Sequence, residues 1–343
     1  MRTHYDIVFI TPKAAFYKIR LFNQIAKVQK ILVLYSDMVH SGNTYRTADF
    51  FDVQQNYDNA IVGGNPITQT IFFFRKLSLI KYDRLCISGW DTLSIVLLAF
   101  FKSKRKNSCI VESSIYESKT TGWKSVIKKL FLRRMSKVYV PGKSNEELVK
   151  TLGYKGECIR TGGCGLLNYL PQPEYKMRKE VKNFLYVGRL IDVKNVGLLV
   201  SVFNDLPYLH LSIAGSGPLE TQLKTMAKSN ISFLGQIKNS ELYKYYRDSD
   251  VFILPSKSEP WGLVVEEALN NGTPIIVSDK VGCSDDLVTK DTGLIFRSGD
   301  ADDLKAKVLK MCNIAYYNNL RGSISTLDFD KRAERQVQSF LRY

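Results

Sequence analysis

Two glutamates separated by seven residues, Glu259 and Glu267, stand in the run Ser256-Lys-Ser-Glu-Pro-Trp-Gly-Leu-Val-Val-Glu-Glu. The run follows an apolar strand-like segment, VFILP, and opens a helical pattern at Gly262. Helical side chains lean toward the helix N-terminus, so the spacing predicts that Glu267 points back toward the mouth of the turn that carries Glu259. The helix start offers N–H groups and a partial positive charge suited to a diphosphate. Carboxylates beside such a site make sense as acceptors for hydroxyl groups, one from a sugar and one from a ribose. The competing account is an acidic turn that stabilises its own helix dipole.

A second cluster, Gly188-Arg189-Leu-Ile-Asp192-Val-Lys194-Asn195, directly follows the strand-like FLYV. A guanidinium and an ammonium on one loop can clamp a diphosphate and stabilise it as a leaving group. Alternatively, the loop is solvated and salt-bridged to Asp192. A third segment, Ala214-Gly215-Ser216-Gly217-Pro218, joins strand to helix with Pro218 suited to the first helical position. As a glycine fingerprint it is incomplete, and its interest is its position at the same sheet edge.

These clusters need strands to present them. Apolar runs at 5–10, 31–35, 59–63, 84–88, 108–112 and 137–140 alternate with helical patterns at 18–27 and 67–79 and an apolar helix from Asp91. After a Gly- and Pro-rich break at 161–173, strand patterns recur at 184–187, 210–214, 231–234, 251–254, 274–277 and 293–296. Helical patterns at 197–203, 218–228, 240–247, 262–270 and 302–310 separate them, and an amphipathic helix closes the chain at 330–342. Such alternation predicts an α/β protein with two Rossmann-like, doubly wound parallel-sheet domains facing across a cleft. The domains are 1–165 and 166–325, with 326–343 packing back on the first. The length of 343 residues fits two domains.

In order, VGRLIDVKN, LSIAGSGPLE, ISFLGQI, YYRDSDVFILPSKSEPWGLVVEEAL, NGTPIIVSD and TGLIFRSGDADDL make the C-terminal half closely resemble the retaining glycosyltransferases of family 4 (glycosyl transferases group 1), of GT-B fold. The resemblance implies that Arg189 and Lys194 contact the donor diphosphate, that Glu267 binds the ribose and that Glu259 holds hydroxyls of the transferred sugar. It brings the backbone of Trp261, Gly262 and Leu263 to sugar and phosphate, and places Gln236 and Ile237 beside the base. Gly188 and Gly215 join the donor site, and the catalytic set is Arg189, Lys194 and Glu259. It further implies front-face attack, with the departing diphosphate helping to deprotonate the acceptor, and neither metal nor cofactor; the nucleoside-diphosphate sugar is a co-substrate. No protein nucleophile is placed by these motifs.

The N-terminal half departs from the family pattern. TPKAAFYKIRLF stands where many members carry a glycine-rich loop, and neither His4 nor His40 fills the family's loop histidine. Lys13, Tyr17, Lys18, Glu112 and Ser113 are the candidate acceptor-side residues. A capping turn is the rival account of Glu112 and Ser113.

Charge separates the halves. Residues 1–170 carry 26 Lys and Arg against 12 Asp and Glu, while the remainder is nearly neutral. The imbalance calls for an anionic partner. Lys102, Lys104, Arg105 and Lys106 follow the apolar run LSIVLLAFF, and residues 124–138 mix apolar and cationic positions at near-helical spacing, as an interfacial helix would. Otherwise the apolar positions are core and the cations a solvated face. The scattered six cysteines read as reduced packing thiols, and with three histidines they make no ligand-spaced cluster. No leader or spanning segment is indicated, which places the protein in the cytoplasm, peripheral on the inner membrane face.

Together these features predict transfer of a sugar from a nucleoside-diphosphate sugar to a saccharide acceptor, lipid-linked, in cell-surface polysaccharide synthesis. A GT-B-fold nucleotide-sugar epimerase, a basic nucleic-acid- or membrane-binding protein without catalysis, and a silent scaffold are the alternatives. No nucleic-acid module is present, so no nucleic-acid partner is expected.

Overall fold

The computed structural model describes residues 2–12, 14–36, 54–90, 92–167 and 169–341. It forms two compact units, Met1–Asn168 with Lys331–Tyr343, and Tyr169–Asp330. The sequence pattern instead puts the division at 165/166 and assigns 326–330 to the closing segment. In the structure Tyr169 and Phe329 pack ring on ring, 5.3 Å between centroids, and the Tyr169 hydroxyl donates to Glu266. Both residues therefore stay with the second unit.

In the first unit the strands are β1 (His4–Thr11), β2 (Ile31–Tyr35), β3 (Asp58–Ile61), β4 (Lys81–Ser88), β5 (Asn107–Ile110), β6 (Lys137–Val140) and β7 (Glu157–Arg160). All pair in parallel, in the order β3-β2-β1-β4-β5-β6-β7. Every residue of β2, ILVLY, is buried, as a parallel strand covered on both faces must be. The helices are α1 (Phe16–Ala26), α2 (Pro66–Ser78), α3 (Leu93–Phe101), α4 (Trp123–Leu132) and α5 (Lys143–Thr151). Asn65 caps α2 by accepting from the Ile67 and Thr68 N–H groups, with Pro66 in the first turn where its missing N–H costs nothing. One core cluster, including Phe73, Leu98, Phe131 and Leu148, lies under α2 to α5; another joins α1 to the closing helix Phe329–Leu341. Phe340 stacks on Tyr139 at 4.6 Å, and the Arg84 guanidinium donates to the Phe340 carbonyl at 2.9 Å. β7 and α5 are elements that the sequence patterns do not single out, and β5 ends at Ile110, before Glu112.

The second unit contains β8 (Asn183–Val187), β9 (His210–Ala214), β10 (Ile231–Gly235), β11 (Val251–Leu254), β12 (Ile275–Ser278) and β13 (Gly293–Phe296), in the order β10-β9-β8-β11-β12-β13. These too run parallel. The helices are α6 (Val196–Asn204), α7 (Glu220–Met226), α8 (Leu242–Asp248), α9 (Leu263–Asn270), α10 (Ser284–Leu287), α11 (Ala301–Met311) and α12 (Ile314–Ile324). The short α10 and the eleven-residue α12 are not among the helices expected from sequence. Each unit reverses strand order once, at β1/β4 and at β8/β11. Chains leaving the two adjacent strands turn away from each other there, which leaves a crevice at their carboxyl ends.

Candidate functional site

Both sequence clusters of the second unit emerge at its reversal point. The loop after β8 carries Gly188, Arg189 and Lys194; the loop after β11 carries Glu259, Trp261 and Gly262. The Lys257 N–H donates to the Val193 carbonyl at 2.8 Å and its ammonium meets Asp192 at 2.7 Å, which stitches the loops together. Lys194 then forms an ion pair with Glu259, their side chains only 15% and 14% exposed. Asn195, next to Lys194, has φ +53°, the one non-glycine residue in the left-handed region among the described residues. An asparagine tolerates that conformation better than most side chains. It lets the chain pass from the single 3₁₀ turn Asp192–Lys194 directly into α6.

Both ion pairs join residues more than sixty positions apart in the chain. Lys194 engages the carboxylate across the crevice, and Asp192 pairs with Lys257. Arg189 is exposed and has no ion-pair partner among the described residues, whereas the Tyr186 hydroxyl holds its carbonyl at 3.0 Å.

Glu259 is held by its main chain. Its N–H donates to the Lys280 carbonyl at 3.0 Å and its carbonyl accepts from the Gly282 N–H at 2.9 Å, an isolated parallel bridge with Val281. Gly262 caps α9 at φ +101°, and a β-carbon there would sit 3.0 Å from Val281 Cγ1. The Val265 N–H donates to the Gly262 carbonyl at 2.9 Å, so the N–H groups ahead of the helix's own hydrogen bonds are those of Leu263 and Val264, at the end where an anion is favoured. The Trp261 side chain is buried, with its indole donating to Glu266 at 2.5 Å; Glu266 also accepts from Tyr169 at 2.9 Å. Only the backbone of Trp261 is left to reach a ligand.

Glu267 has its own partners. It accepts from the Tyr246 hydroxyl at 2.9 Å and from Asn239, two residues beyond Ile237. Burial pushes its carboxyl up from 4.5 to about 7; the bonds from Tyr246 and Asn239 pull the other way, and Glu266 adds to the rise. Burial likewise holds the Tyr246 phenol well above its ordinary value. Asn239 and Tyr246 escape a sequence reading, because a tyrosine in a helix ahead of a strand carries no local signal for a partner in α9.

Gly215 has an internal reason to be glycine. A β-carbon would lie 1.8 Å from the Gly188 carbonyl oxygen, so the β8 and β9 loops touch backbone to backbone. Gly188 and Leu190 N–H groups donate to Ala214 and Ser216 in the same contact, at 3.0 and 2.9 Å. Pro218 precedes α7, which begins at Glu220, rather than standing at its first position.

In the first unit, Lys18 is buried and pairs with Glu112 at 3.0 Å. Asn145 donates to the Glu112 carbonyl at 2.8 Å. Tyr17 lies close enough that burial first, then Glu112 and Cys164, hold its phenol well above the ordinary value. Ser113 is half-buried nearby in sequence. Lys13 and His40 lie outside the described residues. His4, Asp6 and Asp83 form a group with ligand-like spacing at the opposite, amino-terminal edge of the sheet, which no spacing in the sequence signals. The cysteines are free thiols.

The two parallel-sheet units define a GT-B glycosyltransferase fold, with its switch-point site in the second unit. Residues 172–323 match the family glycosyl transferases group 1. Sulfoquinovosyl transferase SQD2 of Arabidopsis thaliana is 35% identical over 163 residues, 46% of this chain but only 32% of that protein. The chain thus spans about a third of the length of that relative. Among solved structures, the lipopolysaccharide outer core galactosyltransferase WaaB is similar at TM-score 0.72 and 14% identity, over 98% of this chain and 99% of WaaB. HepE of Anabaena in complex with UDP gives TM-score 0.71 and 13% identity, over 98% and 99%.

Proposed function

We propose that the protein is a retaining glycosyltransferase that moves a sugar from a nucleoside-diphosphate sugar to a saccharide acceptor. The observation that carries the reading is the Lys194–Glu259 pair at the β8/β11 reversal, beside the amino end of α9. A cation, a hydroxyl acceptor and a helix N-terminus converge there within one unit. Lys194 and Arg189 stabilise the departing diphosphate, and the Gly262–Leu263 backbone meets phosphate and sugar. Glu259 accepts from the sugar hydroxyls, and Glu267 from the ribose beside Ile237. Such a site accelerates transfer mainly by stabilising charge on the leaving group, and this needs neither metal nor protein nucleophile. Lys18, Glu112 and Tyr17 are the proposed acceptor side.

The similarity to a UDP-bound HepE supports a nucleotide donor, and that to WaaB supports a lipid-linked saccharide acceptor in surface polysaccharide synthesis. A lipid-linked acceptor requires work at a membrane face. The test begins with a thermal-shift screen of nucleoside diphosphates and their sugars, since a ligand at 100 times its Kd stabilises the fold by about 2.7 kcal/mol. Transfer by Arg189→Ala should then fall about a hundredfold, the scale expected for one lost charge-stabilising donor. Undiminished transfer by this variant rejects the site.

A further inference from the structure

The outer face of α4 is apolar. Trp123, Val126, Ile127 and Leu130 are 70%, 53%, 40% and 42% exposed, while Ser125, Phe131 and Leu132 face the core. The exposed set has the spacing i, i+3, i+4, i+7, one continuous stripe along a helix about 15 Å long. α3 packs against α4 and α2 against α3, and both also turn large apolar side chains outward. These are Leu93, Phe100 and Phe101 on α3, and Ile67 and Ile71 on α2. An ordinary soluble surface scatters such residues singly; a run of them on one helical layer marks a contact.

The same segment is cationic. Residues 65–135 hold fourteen Lys and Arg against four Asp and Glu. Lys124 and Arg133 flank the stripe on α4 in exposed positions, and Lys104, Arg105 and Lys106 are exposed just after α3. The Lys124 ammonium sits 5.6 Å from the Trp123 ring centroid. A second copy of this chain would bring like charges together, and a neutral apolar partner would leave the cations unpaired. An anionic bilayer satisfies both properties, because its headgroups attract the cations while its acyl boundary accepts the stripe. Tryptophan at the rim of such a stripe suits the interfacial depth.

We infer that the outward layer of α2, α3 and α4 is a docking surface for an anionic lipid bilayer, with α4 lying in the interface and Trp123 inserted. The purpose of docking rests on the lipid-linked acceptor proposed above, but the surface is argued from its own residues. No helix is long and apolar enough to cross a membrane among the described residues, so this contact is interfacial.

Flotation of the full chain with phosphatidylglycerol–phosphatidylcholine vesicles, against phosphatidylcholine alone, tests the inference. The chain should float with the anionic vesicles and stay below with the neutral ones. Trp123→Ser/Ile127→Ser should lower partitioning at least tenfold at any salt concentration. Lys124→Glu/Arg133→Glu should lower it as much at low salt. These exposed substitutions should leave the melting temperature and its nucleotide-sugar shift unchanged, and that control separates the two readings. Vesicle binding without any nucleotide-sugar shift would remove the donor assignment and leave the surface standing. Absence of flotation, or apolar variants that float like the parent, would overturn the surface. A dimer that Trp123→Ser/Ile127→Ser disperses, with no lipid binding, would overturn it too and assign the face to a second copy.

Discussion

Replacing Glu267 by glutamine separates a ribose acceptor from a buried structural acid. Burial holds its carboxyl at about 7 rather than 4.5. The sign of the linkage follows. A raised folded-state value contributes stability that is complete below about pH 4.5 and is lost as pH climbs through 7. Full burial would make that loss about 3 kcal/mol, and a half-buried carboxyl retains part of it. A ribose diol donates hydrogen bonds, so it selects the ionised form. That form is about a tenth of the population at pH 6 and about nine-tenths at pH 8, which predicts an affinity about tenfold tighter at pH 8. The assay is titration calorimetry with a nucleoside-diphosphate sugar, whose diester phosphates do not titrate in this window. Runs at pH 7 in two buffers of different ionisation enthalpy should show about half a proton released per ligand bound. Glu267→Gln should bind more weakly, with a flat profile and no proton release. Tyr246→Phe removes a bond that lowers the Glu267 value, so its profile should move to higher pH. A parent affinity that does not change from pH 6 to 8, or a glutamine variant with the parent's slope, refutes the reasoning.

Three further outcomes follow from packing and charge. Lys194→Ala and Glu259→Ala each strand a shielded charge and should destabilise the protein by about 1–3 kcal/mol, while the double variant costs less than their sum; a denaturation double-mutant cycle measures the coupling. Gly215→Ala drives a methyl group into the Gly188 carbonyl and should lower Tm by at least several degrees, consistent with about 2–4 kcal/mol of strain and loop displacement. Lys18→Met leaves Glu112 without its 3.0 Å partner in a largely buried place. It should impair transfer with little change in nucleotide-sugar affinity, as a KM-against-kcat comparison for acceptor and donor will read.

Sequence alone determined the alternation of strands and helices, the two-unit plan and the loops that carry Arg189, Lys194, Glu259 and Glu267. The reason is that a parallel strand covered on both faces must be apolar throughout, as in ILVLY and VFIL, and turn glycines punctuate such runs locally. Short elements such as α10 and β7, four residues each, escaped because they carry little of that periodicity. Tertiary structure decided the partners. Helix geometry within one segment speaks to the direction of Glu267, and says nothing of the side chains that meet it there. The structure joins Glu259 to Lys194, 65 residues away in the chain, and Glu267 to Tyr246 on another helix. It also decided that Trp123, Val126, Ile127 and Leu130 of α4 face outward while Phe131 and Leu132 face the core, which the pattern of apolar and cationic residues had left open between core and interface. Periodicity says which positions share a face, but which face is covered depends on what the rest of the chain brings against it.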